Sequence, residues 1–210
     1  MITIKVLLAG HDPIVRGGLQ RLLEAAPDIV VGGEAASTRE ALTRGRAEPW
    51  DLIMLDLSRP EDDGLDFLRL LKRDGQTCPV LIFTMHPDRQ LATRLIHAGA
   101  AGILGKGSSA ASIVDAVRRA AAGLPSVSDL ASGALVPGPD VDQPPHAKLS
   151  DREFQVMLRL ASGRRPHEIA RDLGLSAKTV STYRARVLEK LHLGTNAELA
   201  AYAMRNDLIT

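Results

Sequence analysis

Short apolar runs and helical periodicities take turns along the first part of the chain. Ile2 to Ala9 reads as a strand, and Asp12 to Ala26 as a helix with Ile14, Leu19, Leu22 and Leu23 expected on one face. The pair recurs as Ile29 to Glu34 with Thr38 to Arg46, Leu52 to Leu55 with Leu65 to Asp74, Val80 to Thr84 with Asp88 to Ala98, and Gly102 to Leu104 with Ala110 to Ala122. Five strand-helix units in succession predict an α/β domain, a doubly wound five-stranded parallel sheet with helices on both faces. Leu52-Ile53-Met54-Leu55 and Val80-Leu81-Ile82-Phe83 contain no polar residue, as befits strands covered on both sides. In such sheets ligands sit beyond the carboxyl ends of the strands, which is where candidate chemistry belongs.

Between Gly123 and Ala147 the periodicity stops, and Pro125, Pro137, Pro139, Pro144 and Pro145 gather among Gly, Ser and Asp, a linker composition. Regular pattern returns at Leu149, where Ser150 and Glu153 have capping-box spacing before a helix over Asp151 to Ala161. Pro166 to Leu173 predicts a second helix with proline in its first turn, Gly174-Leu175-Ser176 a tight turn, Ala177 to His192 a longer helix and Asn196 to Asn206 a fourth. A short helix, a glycine turn and a longer helix make a helix-turn-helix. The expected organisation is a sheet domain over residues 1–122, a flexible linker over 123–147 and a small all-α domain over 148–210.

Composition narrows the function classes. The single cysteine, Cys78, excludes an intrachain disulfide and a cysteine zinc cluster, and beside Pro79 it reads as a small apolar filler. The apolar start is too short for a signal peptide, and no stretch approaches the roughly 18 apolar residues of a membrane span, so a cytoplasmic protein with no membrane partner is expected. The net charge of +1 is unevenly spread: residues 148–210 hold 11 Lys or Arg against 7 Asp or Glu, whereas residues 1–147 hold 15 against 18. A basic tail on a mildly acidic body fits a polyanion partner for the tail.

Three reactive groups fall at successive strand ends. Asp56 closes the third strand ahead of Ser58-Arg59-Pro60 and the acidic Glu61-Asp62-Asp63-Gly64, Thr84 closes the fourth, and Lys106 follows the fifth. A carboxylate nucleophile, a hydroxyl that hydrogen-bonds a phosphate oxygen and an ammonium that neutralises charge are the groups a phosphoryl acceptor needs. In the tail, Val180, Val187 and Leu191 share one face of the long helix, while Lys178, Thr182, Ala185 and Glu189 occupy the opposite face with Ser181 and Arg186 on its flanks. That polar face, with basic ends, suits the major groove of double-stranded DNA.

With Asp56, Pro60, Gly64, Thr84, Gly99-Ala100 and Lys106 in place, residues 2–122 resemble the receiver domain of two-component response regulators, a CheY/flavodoxin-like fold. Leu149-Ser150-Asp151-Arg152-Glu153, Gly163, Glu168-Ile169-Ala170, Leu173-Gly174-Leu175-Ser176, Lys178-Thr179-Val180 and Val187-Leu188-Glu189-Lys190-Leu191 resemble the LuxR-type DNA-binding domain. Together they resemble the NarL/FixJ group, and Thr179-Val180-Ser181-Thr182-Tyr183 is similar to its Rcs/Bvg type. The resemblance implies a DNA-binding transcription factor rather than an enzyme, phosphorylated on Asp56 by a sensor histidine kinase with a magnesium ion beside it. Thr84 and Lys106 would sense the phosphoryl group. It further implies a homodimer paired through the fourth tail helix, with Lys178, Ser181, Thr182 and Arg186 contacting bases and phosphates. Arg184 is a flanking phosphate candidate, with a structural ion pair as the alternative.

The chain departs from that pattern after the first strand. Where the family has two adjacent metal-holding acids, Gly10 and His11 stand, followed by Asp12, which supplies a carboxylate only if the turn is displaced by one residue. Ile103 replaces a frequent switching aromatic. The open alternative is an atypical receiver that is not phosphorylated and serves as a dimerisation or partner-binding module. A hydrolytic enzyme built on the Asp56 crevice lacks a dedicated general base, since His11 and His86 read as loop residues.

Overall fold

The computed structural model describes residues 3–57, 64–85, 89–124, 126–127 and 144–209. The chain divides into two compact units, Met1–Val136 and Pro137–Thr210.

The first unit alternates as the periodicity predicts: β1 (Ile4–Ala9), α1 (Pro13–Glu24), β2 (Ile29–Ala35), α2 (Thr38–Ala47), β3 (Leu52–Leu57), α3 (Gly64–Arg73), β4 (Val80–Thr84), α4 (Arg89–Ala98), β5 (Gly102–Gly105) and α5 (Ala110–Ala121). All strand pairs are parallel, in the order β2-β1-β3-β4-β5, and a two-residue strand β6 (Ser126–Val127) extends the β5 edge. The five expected strands are thus joined by a sixth, which begins inside the stretch whose composition predicts a linker.

Successive strand residues point to opposite faces. Val6, Leu8, Leu52, Met54, Leu81, Phe83 and Leu104 therefore share one core with Leu19 and Leu23 of α1 and Ile113 and Val117 of α5. Leu7, Ile53, Leu55, Ile82 and Ile103 alternate with these and are also buried. A buried aliphatic side chain contributes about 1.5–3 kcal/mol, so the two-sided burial of β3 and β4 is what pins their register. One expectation fails: Ile14 is 84% exposed. At 100° per residue it lies about 140° from Leu19 around the helix, so it cannot share the buried stripe.

The second unit comprises a 3₁₀ turn (Pro145–Lys148) and four helices, α6 (Asp151–Ala161), α7 (Pro166–Leu173), α8 (Ala177–Leu191) and α9 (Asn196–Arg205). The 3₁₀ turn, like β6, lies within the stretch that reads as linker. The capping box of α6 forms as its spacing predicts, with Glu153 N–H on Ser150 Oγ at 3.3 Å and Ser150 N–H on Glu153 Oε2 at 2.8 Å. Gly174 turns the chain from α7 to α8 at φ 64°, a left-handed conformation that glycine adopts without steric cost. Ser176 then caps α8 by accepting from Thr179 N–H at 3.0 Å. Phe154, Met157, Ile169, Leu173, Val180, Val187, Leu191 and Leu199 are buried in this small unit. His146 is buried as well, its Nδ1 2.8 Å from the Tyr202 hydroxyl.

Candidate phosphoryl site and nucleic-acid interface

Strand alternation builds the receiver site. In β3, Asp56 falls on the same face as Leu52 and Met54, and Lys106 falls two residues beyond Leu104 of β5, on the same side. Both side chains thus leave the carboxyl edge of the sheet together, and Lys106 Nζ lies 2.6 Å from Asp56 Oδ1. The carboxylate is almost fully buried, and the ammonium lies 5.7 Å from the centroid of the Phe83 ring, which belongs to the intervening strand β4. Thr84, also buried, pairs with Leu57 and Gly105 in the sheet, and its carbonyl accepts from Lys106 N–H at 2.8 Å. The three residues picked from successive strand ends are therefore brought together. Ile103 is fully buried in the sheet.

The opposite wall differs from a two-acid pocket. β1 and β3 run in register with Ala9 beside Leu55, so Gly10 faces Asp56. The approach is so close that a Cβ at Gly10 would stand 2.6 Å from Asp56 Cβ and 3.1 Å from its Oδ2. His11 is exposed. Asp12 is the N-cap of α1, its Oδ1 accepting from Ile14 N–H at 2.8 Å and Val15 N–H at 3.3 Å, so the displaced turn that would make it a ligand is not the arrangement found. Among the described residues no group of three or more His, Cys, Asp or Glu side chains could hold a metal ion, and this donor set does not fit the magnesium that the resemblance implies.

Arg16, which the sequence reading passed over, completes this wall. Its Nη1 donates to the Gly10 carbonyl at 2.5 Å and its Nε to Glu34 at 2.9 Å, joining α1 to the ends of β1 and β2. No sequence spacing announces the Glu34 contact, because it depends on the crossover that returns β2 beside β1. Cys78, half-buried beside Pro79, has its thiol pushed up to about 11 by burial, with the Asp51 charge adding to the effect, so it is an unreactive filler.

In the second unit, α8 turns Val180, Val187, Leu188 and Leu191 inward and leaves Lys178, Ser181, Thr182, Ala185, Arg186 and Glu189 exposed. The Ser181 and Thr182 hydroxyls donate to the carbonyls one turn back, Ala177 at 3.0 Å and Lys178 at 3.1 Å, leaving their oxygens as acceptors on the outer face. Arg184 is only partly exposed, and its Nε donates to Asn196 Oδ1 at 2.7 Å, tying α8 to the start of α9 through a hydrogen bond. Lys190 reaches Glu153 at 2.6 Å and locks α8 onto the α6 cap.

A buried acid-lysine pair at the carboxyl edge of a parallel sheet, followed by an exposed recognition-type helix behind a glycine turn, defines a receiver joined to a helix-turn-helix reader. Residues 6–118 match the family described as the response regulator receiver domain, and residues 147–203 match the luxR family of bacterial regulatory proteins. The chain is 35% identical over 208 residues to the response regulator UvrY of Escherichia coli (strain K12), covering 98% of this chain and 95% of that one. It is 32% identical over 209 residues to the transcriptional regulatory protein LiaR of Bacillus subtilis (strain 168), covering 98% and 99%. A Salmonella typhimurium RcsB response regulator structure covers both chains completely with a TM-score of 0.81 at 23% identity, a likeness of fold. This chain belongs to the LuxR-type, NarL/FixJ-like response regulators and is a DNA-binding regulator of transcription. Among the described residues no helix is long and apolar enough to cross a membrane.

Proposed function

We propose that the protein is a cytoplasmic transcription regulator, not an enzyme, that binds double-stranded DNA as a homodimer through α8 and takes its input through the Asp56 pocket. The exposed face of α8 carries the reading: Lys178 and Arg186 supply charge for phosphates or guanine edges, Ser181 and Thr182 supply short hydrogen-bonding groups, and Ala185 leaves room for a thymine methyl. Arg184 serves the fold through Asn196 and stands beside the phosphate backbone as a flanking contact. The fourth helix of the unit, α9, is the pairing element, so the site on DNA has two half-sites related by two-fold symmetry. Selection of bound duplexes from a randomised pool tests this: paired half-sites are expected, and recovery without sequence preference contradicts it.

Asp56 is the phosphoryl acceptor in this reading, with a sensor histidine kinase as donor. Its carboxylate oxygen attacks phosphorus, and the bond from phosphorus to the donor breaks, with the donor leaving with the electron pair; Lys106 faces the charge that arrives and Thr84 the phosphoryl oxygens. The mass after incubation with acetyl phosphate tests it: a gain of one phosphoryl group, lost in Asp56→Asn, is expected. Gly10 pressed against Asp56 favours a second reading, in which the receiver is unphosphorylated and works as a dimerisation or partner-binding module. An unchanged mass selects that reading.

A further inference from the structure

We infer that this receiver holds no divalent cation at Asp56 and that the Lys106 ammonium is the standing counter-charge of the site. The inference concerns the metal alone and goes beyond the reading of Asp56 as an acceptor. Magnesium asks for near-octahedral oxygen donors at about 2.0–2.1 Å, commonly one or two carboxylates completed by water and substrate oxygens. Here the described pocket offers Asp56, and one of its oxygens already faces Lys106 at 2.6 Å. Position 10 has no side chain to give, and its main-chain carbonyl accepts from the Arg16 guanidinium at 2.5 Å. Asp12 has turned one oxygen to the α1 amides, and His11 points to solvent on an exposed loop.

Two cations therefore already occupy the surroundings of Asp56: one directly on the carboxylate, the other on the residue packed against it. A dication placed there would be repelled by Lys106 without the pair of acids that ordinarily offsets such repulsion, while Arg16, its charge balanced by Glu34 at 2.9 Å, acts by occupying the Gly10 carbonyl. The tight Gly10-Asp56 approach also means that the missing acid cannot be restored without parting β1 from β3 or displacing the Asp56 side chain.

The test uses the full chain. Manganese(II), a paramagnetic stand-in for magnesium, is titrated into isotopically labelled wild type and Asp56→Asn protein, and broadening of the Gly10, Asp56 and Lys106 amide signals is followed. In parallel, phosphoryl occupancy after acetyl phosphate is measured by intact mass in magnesium and in EDTA. The inference predicts no broadening centred on these three residues and the same occupancy in both buffers. Broadening centred there in wild type and absent from Asp56→Asn, or an occupancy that rises with magnesium, overturns it. Zero occupancy in both buffers contradicts Asp56 as an acceptor, while absent broadening still supports a metal-free site, so the two readings fail separately.

Discussion

Gly10 lies directly against Asp56 at the end of the sheet. With β1 and β3 in parallel register, its Cα faces Asp56 so closely that any side chain must push the strands apart or force Asp56 off Lys106. Gly10→Asp should therefore destabilise the receiver by about 1–3 kcal/mol through overpacking, before any like-charge repulsion is added. A lowered thermal midpoint checks this, and an unchanged midpoint would mean that the strands yield without cost. That Asp56, Thr84 and Lys106 share one edge of the sheet was legible in the sequence, because each lies at or just past the end of an apolar run that reads as a strand, and strand ends of a parallel sheet share one edge. The closeness of Gly10 to Asp56 was not legible, because it brings together strands far apart in the chain, and Arg16 was not because its bonds to the Gly10 carbonyl and to Glu34 depend on how α1 leaves β1 and on where β2 returns. Asp12 illustrates the same limit: the sequence offers it as a ligand on a displaced turn, and the path of α1 makes it the helix cap instead.

At the scale of the element, α6 and α8 are joined through one carboxylate. Burial pushes Glu153 up, but the Lys190 ammonium and the Ser150 backbone and hydroxyl bonds outweigh it and hold the acid below its ordinary value. A depressed folded pKa contributes stability that is present above the ordinary value near 4.3 and is lost as pH falls through the folded one. Acid unfolding of the wild type should therefore steepen below about pH 4. Glu153→Gln should flatten that limb and remain less stable near neutral pH by roughly 1 kcal/mol, as for a lost cap. Denaturant midpoints across pH 3 to 7, chosen to bracket about one unit either side of the ordinary value, check both. The capping box and the glycine turn were readable from spacing alone, since both are local; the Lys190 arm was not, because it links residues 37 positions apart. Arg184 shows why an exposed-face projection is not enough: its direction around α8 is intermediate, and the side chain bends to Asn196. Arg184→Ala should loosen the α8 to α9 junction, seen as faster amide exchange at Asn196 and its neighbours, whereas a change confined to DNA affinity would make it a phosphate contact only.

At the scale of the molecule, the sequence reading carried far because the first part alternates short apolar runs with helical periodicity, the tail shows helical periodicity alone, and a proline-rich stretch lies between. The elements it missed, β6 and the 3₁₀ turn at Pro145–Lys148, are too short to leave a periodic trace. The charge division likewise assigns the polyanion to the second unit, so DNA affinity should fall with salt, and removing Lys178 or Arg186 as a phosphate contact should reduce the slope of log affinity against log salt by about 1 each. The central claim, that α8 reads DNA, is tested most directly by fluorescence anisotropy on a duplex recovered by selection, comparing wild type with the Lys178→Ala, Arg186→Ala double variant after circular dichroism shows that both are folded. The account predicts at least a tenfold loss of affinity, the consequence of about 1.4 kcal/mol or more of lost contact. A folded double variant that binds the duplex as tightly as wild type, with an unchanged salt slope, would contradict it.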